Sequence, residues 1–209
     1  MIALPNTPVK IYPLILPGGG VPFQNKDRAA LTPEEIVRAD RYRNPLDRDN
    51  FTTCRATLHR LLDDAPITLT ESGKPISEGI TFNVSHTKTH AVIAITRDPS
   101  VSQLGIDIEK VDPDFPHLQA ARRHFPPGET ALLESLPPTE IPTVFTRLWT
   151  AREAALKALG TGLQWDLDRI AIDLKAKTAR TCDHKYDLHF PEIPSFPENH
   201  LVTIAVAEN

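Results

Sequence analysis

The sequence predicts an α+β protein. Helical apolar periodicity is confined to a few capped segments, and short β-branched runs suit antiparallel strands. In addition, 20 prolines among 209 residues end helices and stiffen the connections. Apolar residues make up 40% and charged residues 24%, ordinary globular proportions, so a core can be buried and compositional disorder is excluded. The length suits one domain or two small ones. With 23 Lys+Arg against 27 Asp+Glu, the net charge of −4 argues against a general nucleic-acid coat. No run reaches the roughly 18 to 20 apolar residues of a membrane helix, and the first residues lack a signal-peptide pattern. Two cysteines, Cys54 and Cys182, can build neither a disulfide scaffold nor a four-thiolate zinc site. The expectation is a cytoplasmic monomer that binds neither membrane nor nucleic acid.

The elements follow in order. Val9 to Leu16 reads as a strand that Pro13 confines to an edge. Pro17-Gly18-Gly19-Gly20 ends it without making a Walker loop, since no Gly-Lys-Ser/Thr follows. A helix starts after Thr32, where a capping residue, Pro33 and two acids coincide. A second spans Asp47 to Leu62, with Phe51, Leu58, Leu61 and Leu62 on its apolar face and Arg48, Arg55 and Arg60 as its cations. Thr81 to Val84 and Ala91 to Thr96 are expected strands flanking a polar segment, Ser85 to Thr89, and Leu104 to Val111 is a third. Phe125 to Pro142 should hold one short helix bracketed by paired prolines. Phe145 to Leu159 is the strongest helix, with Gly160-Thr161-Gly162 as its C-terminal cap. Ile170 to Leu174, Tyr186 to Phe190 and Leu201 to Val206 complete the set as strands.

Chemistry concentrates in Gly105-Ile106-Asp107-Ile108-Glu109. Side chains alternate along a strand, so Asp107 and Glu109 share one face while Ile106 and Ile108 take the other. At about 6 to 7 Å and an effective dielectric near 20, their repulsion is on the order of 2 to 3 kcal/mol, which favours full solvation or a bound cation. A solvated strand face is the ordinary outcome; a cation site needs a third ligand. Glu153 is the candidate, since Trp149, Glu153 and Lys157 are spaced by four on the strongest helix, although Glu153 and Lys157 also satisfy an ordinary helical ion pair. Three carboxylates suit magnesium's all-oxygen shell, and no cysteine–histidine spacing suits zinc. Ser85 and His86 lack the elbow of a serine hydrolase, so they are either phosphate contacts or turn residues. Lys74, in Gly73-Lys74-Pro75, carries the same ambiguity. His184 and His189 read as surface residues.

Four segments in this order resemble the 4'-phosphopantetheinyl transferase superfamily, surfactin-synthetase (Sfp) type. They are Gly73-Lys74-Pro75, Phe82-Asn83-Val84-Ser85-His86-Thr87, Gly105 to Glu109, and Trp149 to Lys157 with Gly160 and Gly162-Leu163 behind it. The match is strong over roughly residues 70 to 165 and weaker back to residue 30. The resemblance implies a pseudo-dimer of two similar α/β halves, 1–103 and 104–209, with the active site in the cleft between them. It implies transfer of the 4'-phosphopantetheine arm of coenzyme A to a serine of an apo acyl or peptidyl carrier protein, releasing adenosine 3',5'-bisphosphate. It assigns Asp107, Glu109 and Glu153 to Mg2+ and Lys157 to the phosphates. Lys74, Ser85, His86 and an arginine from the Arg48 to Arg55 region fall to coenzyme A, and Glu153, directly or through a metal-bound water, to the role of base, with Glu129 a second candidate by position. Arg152 stands where many relatives carry lysine, Thr87 replaces a serine, and Asn50 and His59 stand where cations are expected.

Two other readings remain at this level. One is a Mg2+-dependent hydrolase of a nucleotide or pyrophosphate ester; the other is a non-catalytic binder of coenzyme A or carrier proteins. Carrier proteins usually present acidic helices, so the helix with Arg38, Arg41 and Arg43 is an expected docking place.

Overall fold

In the computed structural model, Thr32 caps its helix as its sequence dictates. Its hydroxyl accepts the Glu35 amide, Glu35 accepts the Thr32 amide in return, and Pro33 fills the first turn. The structure describes residues 1–160, 167–181 and 183–208, so the expectations on Thr161, Gly162-Leu163 and Cys182 lie outside it. Helices α1 (Asn25–Ala29), α2 (Pro33–Asp40) and α3 (Pro45–Leu61) lie in the first half of the chain. Helices α4 (His117–His124), α5 (Pro127–Glu134) and α6 (Ile141–Leu159) lie in the second. No helix among the described residues is long and apolar enough to cross a membrane.

The strands are β1 (Ile2–Ala3), β2 (Lys10–Ile15), β3 (Thr68–Leu69), β4 (Pro75–Ile76), β5 (Thr81–His86), β6 (His90–Thr96), β7 (Val101–Lys110), β8 (Ala171–Asp173), β9 (Thr178–Arg180), β10 (Lys185–His189) and β11 (His200–Glu208). They form an antiparallel sheet of order β1-β2-β6-β5, another of order β7-β11-β10-β9-β8, and a small β3-β4 hairpin. The expected α+β class is therefore what forms.

Strand β6 is buried along its whole length, and its two faces do different work. Ile93 and Ile95 pack with Leu58 of α3 and Leu62 just after it. Val92 and Ala94 face the other way, into one apolar core shared with Leu104, Ile106 and Ile108 of β7 and Val202 and Ile204 of β11. Each fully buried Val, Ile or Leu among them contributes about 1.5 to 3 kcal/mol. Helix α6 covers the opposite face of β7 and β11 through Ala151, Ala154, Ala155 and Ala158, packed with Ala205. Gly105 makes that approach possible, because a Cβ there would overlap the Ala154 carbonyl and stand 2.5 Å from the Ala158 nitrogen.

Three differences from the sequence reading have local causes. Helix α4 lacks a side-chain cap and follows Pro116, so nothing in the sequence announces it. Strand β5 runs on to His86, because Ser85 and His86 pair with Val92 and Ala91, so the polar segment reduces to residues 87–89. Strand β2 is flanked by β1 only at Lys10 and Ile11, so Pro13 is on an open edge, as its missing amide requires, while the strand's start is not.

Candidate active site

The site grows out of the contact between β5 and β7. Period-two alternation puts Asn83 and Ser85 on one face of β5, both buried. Asn83 Oδ1 accepts the Ile106 amide at 3.1 Å, and Ser85 Oγ accepts the Ile108 amide at 3.4 Å. Two polar side chains thus stitch one sheet to the backbone of the other. Ser85 Oγ also donates to Asp107 Oδ1 at 2.8 Å.

On α6, Lys157 extends toward the same point. Its ammonium donates to Asp107 Oδ1 at 2.6 Å and to Ser85 Oγ at 2.8 Å. Asp107 is only 3% exposed, yet its Oδ2 has no hydrogen-bond partner. Glu109 follows on the same strand face. Burial, the Asp107 charge and the Glu153 charge push its carboxyl up to about 7 against the opposing pull of Lys157. Glu153 is raised too, by burial first and then by Asp107, with Lys157 again opposing. Three carboxylates thus share a desolvated space with one ammonium. Their donor set is all oxygen, and the orphaned Asp107 Oδ2 is the atom a hard cation would satisfy. In this geometry no three His, Cys, Asp or Glu side chains among the described residues stand close enough to hold a metal ion; Lys157 takes the Asp107 oxygen instead.

Cavities meet around this cluster. A large one of about 1140 Å³ is lined by residues including Asn50, His86, Lys88, His90, Lys110 and Glu109. A second, about 320 Å³, shares Glu109, Lys110 and Asp112 with it and is otherwise walled by Phe115, His117, Phe145, Thr146 and Trp149. A third, about 370 Å³ and mostly apolar, lies between Ser72–Pro75, Asn83, Val84 and the Glu153–Lys157 face of α6.

Residues 103–205 match the family described as the 4'-phosphopantetheinyl transferase superfamily. The chain is 33% identical over 159 residues to a putative 4'-phosphopantetheinyl transferase of Synechocystis sp., a match covering 70% of this chain and 63% of that protein. It is 34% identical over 160 residues to the 4'-phosphopantetheinyl transferase HetI of Nostoc sp., covering 70% and 66%. It is also 34% identical over 119 residues to a 4'-phosphopantetheinyl transferase of Bacillus subtilis, covering 54% and 50%. The chain belongs to the 4'-phosphopantetheinyl transferase superfamily. It spans about two thirds or less of the length of these relatives.

In this superfamily member the residues singled out by sequence divide into two groups. Asp107, Glu109, Glu153, Lys157 and Ser85 come together, and His86, exposed, lines the large cavity. The others are engaged elsewhere. Glu129 accepts from the fully buried Arg152 at 2.5 Å and from the Ile172 amide at 3.2 Å, which ties it into the packing behind α6. Arg55 pairs with Glu35 at 3.2 Å, and the same carboxylate takes His59 at 2.7 Å. Arg48 pairs with its neighbour Asp49. Lys74 donates to the Ala158 carbonyl at 2.8 Å. Sequence reasoning missed Asn83, although the alternation that aims Ser85 also aims Asn83, and it missed the aromatic wall built from Phe115, His117, Phe145 and Trp149.

Proposed function

We propose that the chain transfers the 4'-phosphopantetheine arm of coenzyme A to a serine of an apo acyl or peptidyl carrier protein, with Mg2+ held by Asp107, Glu109 and Glu153. The observation that carries this reading is the excess of carboxylate beside Lys157, half-buried at Glu109 and Glu153 and buried at Asp107, whose Oδ2 is unpartnered. Residues 1–103 and 104–209 are read as the two halves of a pseudo-dimer with the site in the cleft between them. The Asn83 and Ser85 bonds to β7 support that reading.

Coenzyme A has an anionic nucleotide end and a slender arm. The large cavity offers His86, His90, Lys88 and Lys110 to the first, and the aromatic cavity suits the second. A divalent cation, when bound, neutralises charge on the diphosphate. The protein's own groups do the rest. Glu153, made more basic by burial, accepts the proton of the incoming serine hydroxyl. The serine oxygen bonds to the phosphorus that carries the arm, the bond from that phosphorus to the bridging oxygen breaks, and adenosine 3',5'-bisphosphate leaves. Lys157, paired with a single Asp107 oxygen, can turn to the charge that develops on the leaving phosphate.

Incubation with Mg2+, coenzyme A and a panel of apo carrier proteins should add one phosphopantetheine to a carrier by mass spectrometry. Asp107→Ala and Glu153→Gln should abolish the gain while circular dichroism stays native. Unchanged modification by both variants would remove the site assignment. Nucleotide release without any carrier would favour the hydrolase, and tight coenzyme A binding without turnover would favour the binder.

A further inference from the structure

The turn joining β3 and β4 is held by its own bonds. The Thr70 amide donates to the Lys74 carbonyl at 2.9 Å, the Gly73 amide to the Thr70 carbonyl at 2.9 Å, and the Lys74 amide to Thr70 Oγ1 at 3.0 Å. Gly73 takes the left-handed conformation that closes this turn, with φ +83°. Its side chains then reach far along the sequence. Lys74 Nζ donates to the Ala158 carbonyl at 2.8 Å, and Ser72 Oγ donates to the Gly160 carbonyl at 2.5 Å.

Those two acceptors are among the last carbonyls of α6, which have no partner inside the helix and carry its negative dipole end. A cation and a hydroxyl from more than 80 residues earlier add side-chain bonds to the backbone cap that Gly160 makes at the end of α6. Gly160 completes the fit: its φ of +78° turns the chain out of the helix, and a Cβ there would sit 2.9 Å from Lys74 Cδ. The capped turn begins at Leu156, whose carbonyl takes the Gly160 amide, and contains Lys157. Ser72, Lys74, Glu153 and Lys157 line the same apolar cavity.

Building on the transfer reading, we infer that Lys74, with Ser72, is a positioning residue that locks the last turn of α6 and so fixes Lys157 and Glu153 against Asp107. Its amine is committed to a helix carbonyl and is not a ligand of the substrate phosphates. Displacement of a catalytic group by about 1 Å can cost on the order of 100-fold in rate, so a clamp one turn from Lys157 and Glu153 acts on turnover.

Lys74→Met keeps the stem and removes the donor. With coenzyme A and an apo carrier, kcat should fall about tenfold or more, while KM for coenzyme A stays within about twofold. The same kcat loss should appear with 3'-dephospho-coenzyme A as donor. Lys74→Arg, which restores a cationic donor, should recover most of the rate, and Ser72→Ala should give a smaller loss of the same kind. The thermal midpoint of Lys74→Met should not drop, because a desolvated ammonium is replaced by apolar surface. A raised KM with kcat intact, a defect confined to the 3'-phosphorylated donor, an unchanged kcat, or a rate loss that follows a fall in midpoint would each overturn the inference. If the unaltered protein modifies no carrier, the transfer reading fails instead. Amide exchange at Leu156 to Gly160 then decides the clamp: faster exchange in Lys74→Met supports it, and unchanged exchange overturns it.

Discussion

Helix α6 holds two ion pairs on different sides of its axis, and only one of them is complete. Arg152, fully buried, donates to Glu129 and to the carbonyls of Leu148, Leu167 and Ile170, and its guanidinium lies 4.2 Å from the Phe125 ring centroid. Glu129 spends its second oxygen on the Ile172 amide. One residue further on, Glu153 faces the other way, toward Lys157 and Asp107, where an Asp107 oxygen has no partner and Glu109 and Glu153 are both pushed up by burial. A buried pair whose every bond is met works as a fastener. A partly buried cluster left short of positive charge is poised to take a charged ligand. Sequence alone gave Glu129 and Glu153 the same candidate role, and the difference in completion is what separates them.

The contrast can be broken at several points, the largest first. Gly105→Ala puts a methyl group into the backbone of α6, and equilibrium urea unfolding should show a loss at or above about 3 kcal/mol, since the obstruction is a carbonyl rather than a flexible side chain. Arg152→Leu leaves Glu129 buried without its cation and should cost roughly 3 to 5 kcal/mol by the same measurement. Asp107→Asn should lower carrier modification by about 100-fold or more, yet change unfolding free energy by no more than about 1 kcal/mol, because it lightens a carboxylate-rich cluster. Equal destabilisation by Arg152→Leu and Asp107→Asn would erase the distinction between fastener and site.

The smallest expected effect is one of pH. Burial holds the Lys74 ammonium down at about 8, below its ordinary value of 10.5. The unfolded chain therefore binds this proton more readily. The stability this group contributes is present above about 10.5 and is lost as pH falls through about 8. Thermal midpoints of the unaltered protein relative to Lys74→Met should rise between those values, and a difference flat with pH would count against the buried placement of Lys74.

Much of the fold was legible because its signals are local. The Thr32-Pro33-Glu34-Glu35 start, the alternation in Gly105 to Glu109 and the turn-forming Gly160 each act through immediate neighbours. Helix α4 was not legible, since it begins after a proline with no capping side chain. In the site, the shared face of Asp107 and Glu109 and the stripe of Glu153 and Lys157 followed from period two and period 3.6. The partners of Lys74, Arg55 and Glu129 did not, because each lies on another element of the chain.

By itself, then, the sequence determined the α+β class and which acids share a face, since side-chain periodicity along strands and helices fixes both; the superfamily resemblance rested on four motifs in order. Tertiary structure alone decided which charges are consumed: Lys74 on a helix carbonyl, Arg55 on Glu35, Glu129 on Arg152, and Lys157 on Asp107. Long flexible side chains take whichever partner packing brings within about 3 Å, and that choice is made by elements distant in sequence.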